Sequence, residues 1–229
     1  ILKIVIIYKM EFITPKALRK LEHGYTTNYP FNYIVIDNFL KKEYIDNIIN
    51  ELKNLKDSQA NSRFVDPNCI IEYNKFGFSN INEYGENIKK IFNSLLSDKF
   101  IKYLEKLTGI NNLITNNLEH AGIHRIKKGG FLELHTDFNS YKHKKHGLLD
   151  RRINLLLYLN PNWKEEYNGH FMIGDLEKKI ITKKISPILN RCVIFNTCNK
   201  SLHGHPEELN VPSDIYRQSF ALYYYTKNN

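Results

Sequence analysis

From Leu118 onward, the apolar residues of this sequence recur with the two-residue period of β-strands, and this pattern constrains the fold more than any other feature. Turn residues interrupt the pattern, among them a Lys-Lys-Gly-Gly turn at 127–130 and an Asn-Pro-Asn turn at 160–162. The predicted strands cover 121–126, 131–137, 152–159, 169–174, 179–185, 191–195, the residues around His203 and a last run that Arg217 opens. Closely spaced strands of this kind predict a β-sandwich or barrel.

The first half of the chain shows mainly helical spacing. In chain order, it predicts a loosely docked arm over residues 11–30, a strand over 31–40, a helix over 41–56, a loop with one short strand near 69–73 over 57–83, and two helices over 84–108. Gly109 predicts the end of the last helix. We expect a single domain over 1–229, with an N-terminal arm (1–30), a strand and supporting helices (31–117) and a β-core that carries the metal site (118–226).

Composition indicates a soluble globular protein. Of the 229 residues, 42% are hydrophobic and 13% are aromatic, which supports a packed core and argues against disorder. No apolar run approaches the roughly 18 residues that a membrane span requires, and three cysteines that cannot all pair within the chain favour a reducing compartment. We therefore expect a soluble, intracellular, cytoplasmic protein with no membrane partner. Met10 begins a more ordinary segment, so we interpret residues 1–9 as sequence upstream of a natural start.

The chain is basic, with a formal net charge of +9 and a pI near 9.2. Long-range attraction of acidic partners, including nucleic acid, is one interpretation of this charge. Many of the lysines lie in stretches rich in isoleucine, lysine and asparagine, so a solvated basic surface is the simpler interpretation. The oligomeric state is left open by the sequence.

The strongest chemical signal lies in residues 131–139, Phe-Leu-Glu-Leu-His-Thr-Asp-Phe-Asn. Because side chains on a strand alternate, His135 and Asp137 share one face, and a single metal ion can contact both. A buried Asp137 requires a cation or several donors, since an unpaired buried carboxylate is costly. The triad of two histidines and one carboxylate in non-haem iron(II) oxygenases requires one more histidine. His203 and His205, in the run Ser-Leu-His-Gly-His-Pro at 201–206, are the candidates.

Taken in order, these elements resemble the iron(II)/2-oxoglutarate-dependent dioxygenases, specifically the prolyl 4-hydroxylase-like branch. The resemblance covers residues 120–226 and is carried by the His-x-Asp-Phe-Asn motif, the strands at 151–160 and 190–195, the Leu-His-Gly run at 202–204 and the Arg217 strand. It implies a mainly β fold with flanking helices, built as a double-stranded β-helix (jelly roll) core with N-terminal supporting helices. The implied cofactors are Fe(II), 2-oxoglutarate and ascorbate.

The resemblance also assigns residues to the site. It implies that His135, Asp137 and His203 are the metal ligands and catalytic residues, since His203 occupies the family's position before a glycine, while Pro206 constrains the backbone at His205. Arg217 stands where the family holds the distal carboxylate of 2-oxoglutarate, a role that suits a planar guanidinium.

Tyr158 matches a tyrosine that contacts the same carboxylate in related hydroxylases. Strand alternation places it on one face with Arg152, Asn154, Leu156 and Asn160. The sequence departs from the family pattern in two ways. Ile126 stands near the position of a cosubstrate tyrosine in many relatives, and Arg217 lies farther past the distal histidine than in well-known prolyl hydroxylases. These departures weaken the assignment of the substrate and leave the metal ligands unaffected.

A basic loop at residues 141–146 directly follows the metal motif. Lys142, Lys144 and Lys145 are candidates for a lid over the site or for substrate contacts. His143 and His146 are also candidate ligands of a second metal. An exposed polar loop is the simpler interpretation of both features.

We expect the protein to hydroxylate a peptidyl or protein residue, above all proline, with release of succinate and carbon dioxide. A nucleic-acid demethylase of the same superfamily is the alternative that the net charge suggests. Such relatives carry further arginines after the cosubstrate arginine, whereas Gln218 and Ser219 follow Arg217 here. A catalytically silent jelly-roll binding module is the alternative outside the enzymes, but such a module has no evident need for the complete set of site residues.

Overall fold

The computed structural model of the chain describes residues 10–25, 28–115, 118 and 121–228. Residues 1–9, interpreted above as upstream of a natural start, lie outside the described residues. The helices are α1 (Pro15–Glu22), α2 (Lys42–Asn54), α3 (Glu86–Leu95) and α4 (Asp98–Thr108). The strands are β1 (Tyr33–Asp37), β2 (Ser62–Phe64), β3 (Glu72–Phe78), β4 (Ile114–Thr115), β5 (Gly122–His135), β6 (Ser140–His143), β7 (Gly147–Tyr158), β8 (Phe171–Asp175), β9 (Ile180–Ile185), β10 (Arg191–Asn196), β11 (Ser201–His205) and β12 (Arg217–Lys227).

The strands form one curled antiparallel sheet. Its main path runs β1-β10-β7-β12-β5-β11-β8-β9, while β3 pairs with β5 and β2, β4 pairs with β12, and β6 pairs with β7. Strands from distant parts of the chain are therefore neighbours, as in a jelly roll. The predicted mainly β architecture with a few flanking helices is confirmed.

Strand β5 is one continuous element where the sequence predicted two strands and a turn. In its first half, Ile126 pairs with Arg217 of β12, and in its second half His135 pairs with His203 of β11. Between these points Gly129 has a positive φ of 73°, and the register against β3 shifts. The predicted turn is therefore a bulge that bends the strand without ending it.

The two faces of the sheet have different neighbours. Leu155 and Leu157 of β7 belong to the large apolar cluster that includes the buried faces of the helices. Tyr158, Phe171 and Phe195 belong to a smaller cluster on the inside of the curl. Each fully buried apolar side chain stabilises the fold by roughly 1.5–3 kcal/mol. The helix-covered face therefore supplies most of the stability, which leaves room for polar groups on the inner face.

Helix α4 ends where the sequence predicts, and Ser97 marks its start. The side chain of Ser97 accepts a hydrogen bond from the amide of Phe100, so it caps the first turn. Gly109 has a φ of 72°, and its N–H donates to the carbonyl of Glu105 at 2.8 Å. Within the described ranges, no helix is long and apolar enough to cross a membrane.

The prediction of a loosely docked N-terminal arm is wrong for residues 15–22. They form helix α1, whose Ala17, Leu18 and Leu21 are buried. Thr14 accepts a hydrogen bond from the amide of Ala17, and Pro15 occupies the first helical position, where its missing N–H costs nothing. Threonine followed by proline, with leucines three residues apart, was the helix signal in this otherwise polar stretch.

The segment 57–83 contains more regular structure than the predicted loop with one short strand. It forms the antiparallel pair of β2 and β3, and β3 continues along β5. Asn74 has a positive φ of 48° in the middle of β3, at the register shift against β5. This irregularity and the polar Lys75 hid the alternation expected of a strand.

Candidate metal centre

The three side chains of the predicted metal site meet on the inside of the curl. His135 ends β5, Asp137 follows two residues later, and His203 lies on the neighbouring strand β11. One potential ligand atom from each lies within 4.8 Å of the others. Nε2 of His135 is 3.7 Å from Oδ1 of Asp137, and Nε2 of His203 is 3.4 Å from Oδ2. Two imidazoles and a carboxylate in this arrangement can hold iron(II) or another divalent transition metal.

Backbone carbonyl groups orient both imidazoles. Nδ1 of His135 is 2.8 Å from the carbonyl oxygen of Glu133, and Nδ1 of His203 is 2.8 Å from that of Ser201. A carbonyl oxygen only accepts hydrogen bonds, so each Nδ1 carries the proton and each Nε2 keeps a free lone pair. Burial lowers the pKa of His203 to about 4, so this ring is neutral at pH 7.

Two polar side chains without a predicted role hold Asp137. Nδ2 of Asn154 donates to Oδ2 of Asp137 at 2.7 Å, and Nη1 of Arg151 lies 3.1 Å from Oδ1. Nε of Arg151 donates to Oδ1 of Asn154 at 2.8 Å, so the three side chains form a closed ring. Burial opposes ionisation of Asp137, but its contacts with His135, His203 and the charged Arg151 outweigh it. The pKa of this carboxyl group therefore lies below its ordinary value.

A bulge on β7 explains why Arg151, and not Arg152, joins this ring. Simple alternation placed Arg152 on the face that carries Asn154. In the structure, Ile153 and Arg151 pair with consecutive residues of β12, so the register skips Arg152. Arg151 consequently lines the cavity beside Asn154. The prediction for Arg152 is wrong because the strand period is interrupted at that residue.

The metal group opens into a cavity of about 110 Å³ that also contains Arg217. Arg217 is only 4% exposed, and its Nε donates to the carbonyl oxygen of Gly169 at 2.7 Å. Gly169 has a φ of 67°, and a Cβ atom there would lie 3.0 Å from Cδ of Arg217. A glycine is therefore needed for the close approach that fixes this guanidinium.

Tyr158 lies beside Arg217, and the role that the resemblance implied for it stays a prediction. The guanidinium carbon of Arg217 is 5.1 Å from the centroid of the Tyr158 ring. The Tyr158 hydroxyl is buried without a hydrogen-bond partner, and burial raises its pKa to about 12. In the described part of the chain, no carboxylate forms a salt bridge with Arg217. A buried cation next to an unsatisfied hydroxyl suits an anionic ligand.

His205, His124 and Ile126 line the same cavity but lie outside the three-residue metal group. His205 is 3% exposed, and its Nδ1 has no hydrogen-bond partner. The preference for His203 over His205 as the third ligand agrees with this geometry and stays a prediction. Ile126, at the place of the family's tyrosine, provides an apolar wall. A role for His124 was not expected from the sequence.

The basic loop forms the hairpin between β6 and β7. Lys142, Lys144 and Lys145 are exposed, and the cavity lining includes none of these lysines. Nδ1 of His143 accepts hydrogen bonds from the amides of Lys145 and His146, which occupies one of the two nitrogens that a second metal could use. A role of the hairpin as a lid stays a prediction.

Comparison with known proteins shows what this chain is similar to. Residues 121–225 match the family model of the 2OG-Fe(II) oxygenase superfamily, which spans the strands that carry the metal group and Arg217. The fold is similar to that of the prolyl hydroxylases, and the resemblance predicted from the sequence is confirmed.

Three solved structures illustrate the likeness. A prolyl hydroxylase from Trichoplax adhaerens, in complex with a hypoxia inducible factor peptide fragment, is 20% identical with a TM-score of 0.64, over 92% of this chain and 90% of that one. A prolyl-4-hydroxylase from Pseudomonas putida is 13% identical with a TM-score of 0.56, over 93% and 98%. HygX from Streptomyces hygroscopicus, with nickel, 2-oxoglutarate and hygromycin B bound, is 14% identical with a TM-score of 0.56, over 93% and 88%. No curated protein matches the sequence.

Proposed function

We propose that this protein is an iron(II)- and 2-oxoglutarate-dependent dioxygenase that hydroxylates a peptidyl or protein residue, with proline as the preferred target. The observation that carries this proposal is the single cavity that joins the His135, Asp137 and His203 group to the buried Arg217. A metal group and a buried cation in one cavity match a dicarboxylate, which binds the metal at one end and the cation at the other.

The donor set favours iron(II). Two imidazole nitrogens and one carboxylate oxygen leave three positions free on an octahedral metal, which suits an oxygenase. In the proposed enzyme, His135, Asp137 and His203 hold the metal, while Asn154 and Arg151 keep the carboxylate of Asp137 in place. When bound, iron and 2-oxoglutarate would supply the oxidation with dioxygen as the oxidant: one oxygen atom enters the succinate formed as the cosubstrate loses carbon dioxide, and the other is inserted into a C–H bond of the substrate.

Arg217 and Tyr158 are proposed to bind the distal carboxylate of 2-oxoglutarate. The planar guanidinium offers parallel donors to a carboxylate, and the unsatisfied Tyr158 hydroxyl offers one more. Both side chains are buried, so water competes little for these hydrogen bonds.

Apolar side chains also line the cavity. They are Ile126, Leu132, Leu156 and Phe171. Their role in the proposed reaction is to exclude water from the reacting groups and to favour the neutral form of the histidines.

A peptide substrate is favoured by the proteins that share this fold. Two of the three neighbours described above are prolyl hydroxylases, and one of them holds a peptide fragment. HygX holds hygromycin B, so the same fold also accommodates other substrates. Proline hydroxylation is therefore the first activity to test, and ascorbate is proposed as the reductant that maintains ferrous iron.

The test is a turnover assay with iron(II), ascorbate, 2-oxoglutarate and a library of proline-containing peptides. We expect succinate formation and a peptide mass increase of one oxygen, both lost in the Asp137→Ala variant. Succinate without peptide oxidation would support the oxygenase but contradict this substrate class. Absence of both products from the metal-loaded wild type would contradict the proposed function.

A further inference from the structure

Arg151 is an unusually enclosed cation beside the metal group. Its side chain is 3% exposed and lines the cavity that contains the metal group. The guanidinium carbon lies 3.5 Å from the ring centroid of Tyr223 and 4.9 Å from that of Phe138. These two aromatic faces and the hydrogen bond to Asn154 hold the guanidinium in one place.

Asp137 is the one carboxylate that forms a salt bridge with Arg151 among the described residues. The same carboxylate is the proposed metal ligand. Once a divalent cation shares Asp137, the negative charge that neutralises Arg151 is divided between two cations. Burial of an arginine is costly when its counter-ion is shared with a metal, and such an arginine attracts a further anion.

The formal charges of the loaded site lead to the same result. The two positive charges of the metal and that of Arg217 are balanced by Asp137 and by the two carboxylates of 2-oxoglutarate. Lys75, also on the cavity wall, forms its own ion pair with Glu72 at 2.7 Å. Arg151 therefore contributes one positive charge that no other group of the loaded cavity balances.

Arg151 also lines a second cleft. The cleft is lined by Asn139, Asp150, Arg151, Arg152, Thr197, Cys198, Asn199 and Lys200. Its acidic residue, Asp150, already accepts a hydrogen bond from Asn228. Neither of the two linings that include Arg151 therefore supplies, over the residues that the structure describes, a second carboxylate that pairs with it.

We propose that Arg151 binds an acidic group of the substrate, a carboxylate carried close to the C–H bond that is oxidised. This inference rests on the proposed function, because it requires a metal and a dicarboxylate in the cavity. It narrows the substrate class to peptides with an aspartate, a glutamate or a terminal carboxylate beside the target residue.

The test uses two small probes of equal shape, propionate and propionamide, with the manganese-loaded, 2-oxoglutarate-bound protein. Manganese is paramagnetic, so a probe that binds near it shows faster proton relaxation. We expect propionate to bind the wild type about ten- to a hundredfold more tightly than propionamide, as a charge-assisted contact implies. Arg151→Gln should abolish the difference, and Arg151→Lys should retain part of it.

Arg152→Gln is the matched control, since it removes the same charge from the neighbouring residue of the same strand and should keep the preference for propionate. Equal relaxation of both probes in the wild type would overturn the inference, even if Arg151→Gln failed to fold. A propionate signal that survives Arg151→Gln would also overturn it, because the probe would then bind the metal directly. Failure of the manganese-loaded wild type to bind 2-oxoglutarate would instead overturn the proposed function.

Discussion

Nδ2 of Asn154 donates a hydrogen bond of 2.7 Å to Oδ2 of Asp137. Asn154 is only 2% exposed, and its own carbonyl oxygen accepts from Nε of Arg151. The amide is thereby oriented with its NH₂ group toward the carboxylate. Asp137 is thus positioned before any metal binds, which reduces the ordering that binding requires.

Asn154→Leu should weaken metal binding by about ten- to a hundredfold, the usual effect of removing a partner of a ligating side chain. Leucine fills a similar volume but cannot donate to Asp137. Titration of manganese(II), followed by its electron paramagnetic resonance signal, measures the change. Asn111→Ala, at an exposed position, is the control and should bind manganese as the wild type does. Unchanged affinity in Asn154→Leu would show that Arg151 alone suffices to hold the carboxylate.

His135→Ala or Asp137→Ala should remove stable iron binding and all turnover, because each leaves two protein ligands and an open-sided site. His205→Ala should leave most of the activity. Iron content after anaerobic loading and succinate formation are the two measurements. The choice of His203 as the distal ligand is wrong if His205→Ala abolishes metal binding while His203→Ala preserves it.

Arg217→Ala should weaken 2-oxoglutarate binding by about ten- to a few hundredfold, since each charge-assisted hydrogen bond contributes about 1.5–3 kcal/mol. Iron binding should persist. Arg217→Lys should recover only part of the affinity, because an ammonium group lacks the planar fork. Calorimetric titration of the manganese-loaded, anaerobic proteins measures this. Equal affinities in all three proteins would remove Arg217 from the proposed cosubstrate site.

The stability of the metal-free protein should fall as the pH falls below about 6.5. Burial lowers the pKa of His124 to about 3 in the folded chain, whereas an unfolded histidine titrates near 6.5. Between these values the unfolded chain binds more protons, so acid favours unfolding. His124 alone should cost about 3 kcal/mol by pH 4. Denaturant unfolding at a series of pH values should show this slope reduced in His124→Gln and retained in His143→Gln, a change in the β6–β7 turn.

The β6–β7 hairpin should affect the substrate and leave the metal unaffected. Replacing Lys142, Lys144 and Lys145 together by glutamine should raise the substrate KM, and more so at low salt, because exposed charges act at longer range there. The uncoupled decay of 2-oxoglutarate should stay as in the wild type. A KM that is identical at every ionic strength would identify the hairpin as ordinary solvated surface.

Local rules predicted the parts of the site that lie close together in sequence. His135 and Asp137 lie close together as their two-residue spacing predicted, although β5 ends at His135, and Gly109 ended its helix as predicted. The pairing of His203 with His135 joins residues far apart along the chain. It was predicted from resemblance to a known family, since no local pattern contains this information.

The errors arose where one residue breaks a regular period. The bulge at Arg152 puts Arg151, and not Arg152, on the face of the strand that carries Asn154. The bend at Gly129 joins two predicted strands into one. A bulge depends on hydrogen bonding with neighbouring strands, so it has no reliable signature in its own segment. The ring of Arg151, Asn154 and Asp137 was consequently beyond the reach of a period-based prediction.

Strand β5 carries both register points that define the cavity, Ile126 against Arg217 and His135 against His203. The spacing between the proposed metal end and the proposed carboxylate end is therefore set by one length of backbone, and the bond from Arg217 to Gly169 prevents the guanidinium from following a displaced ligand. This fixed spacing selects a ligand by the length of its carbon chain. A dicarboxylate one methylene shorter or longer than 2-oxoglutarate has to forfeit its contact at one end.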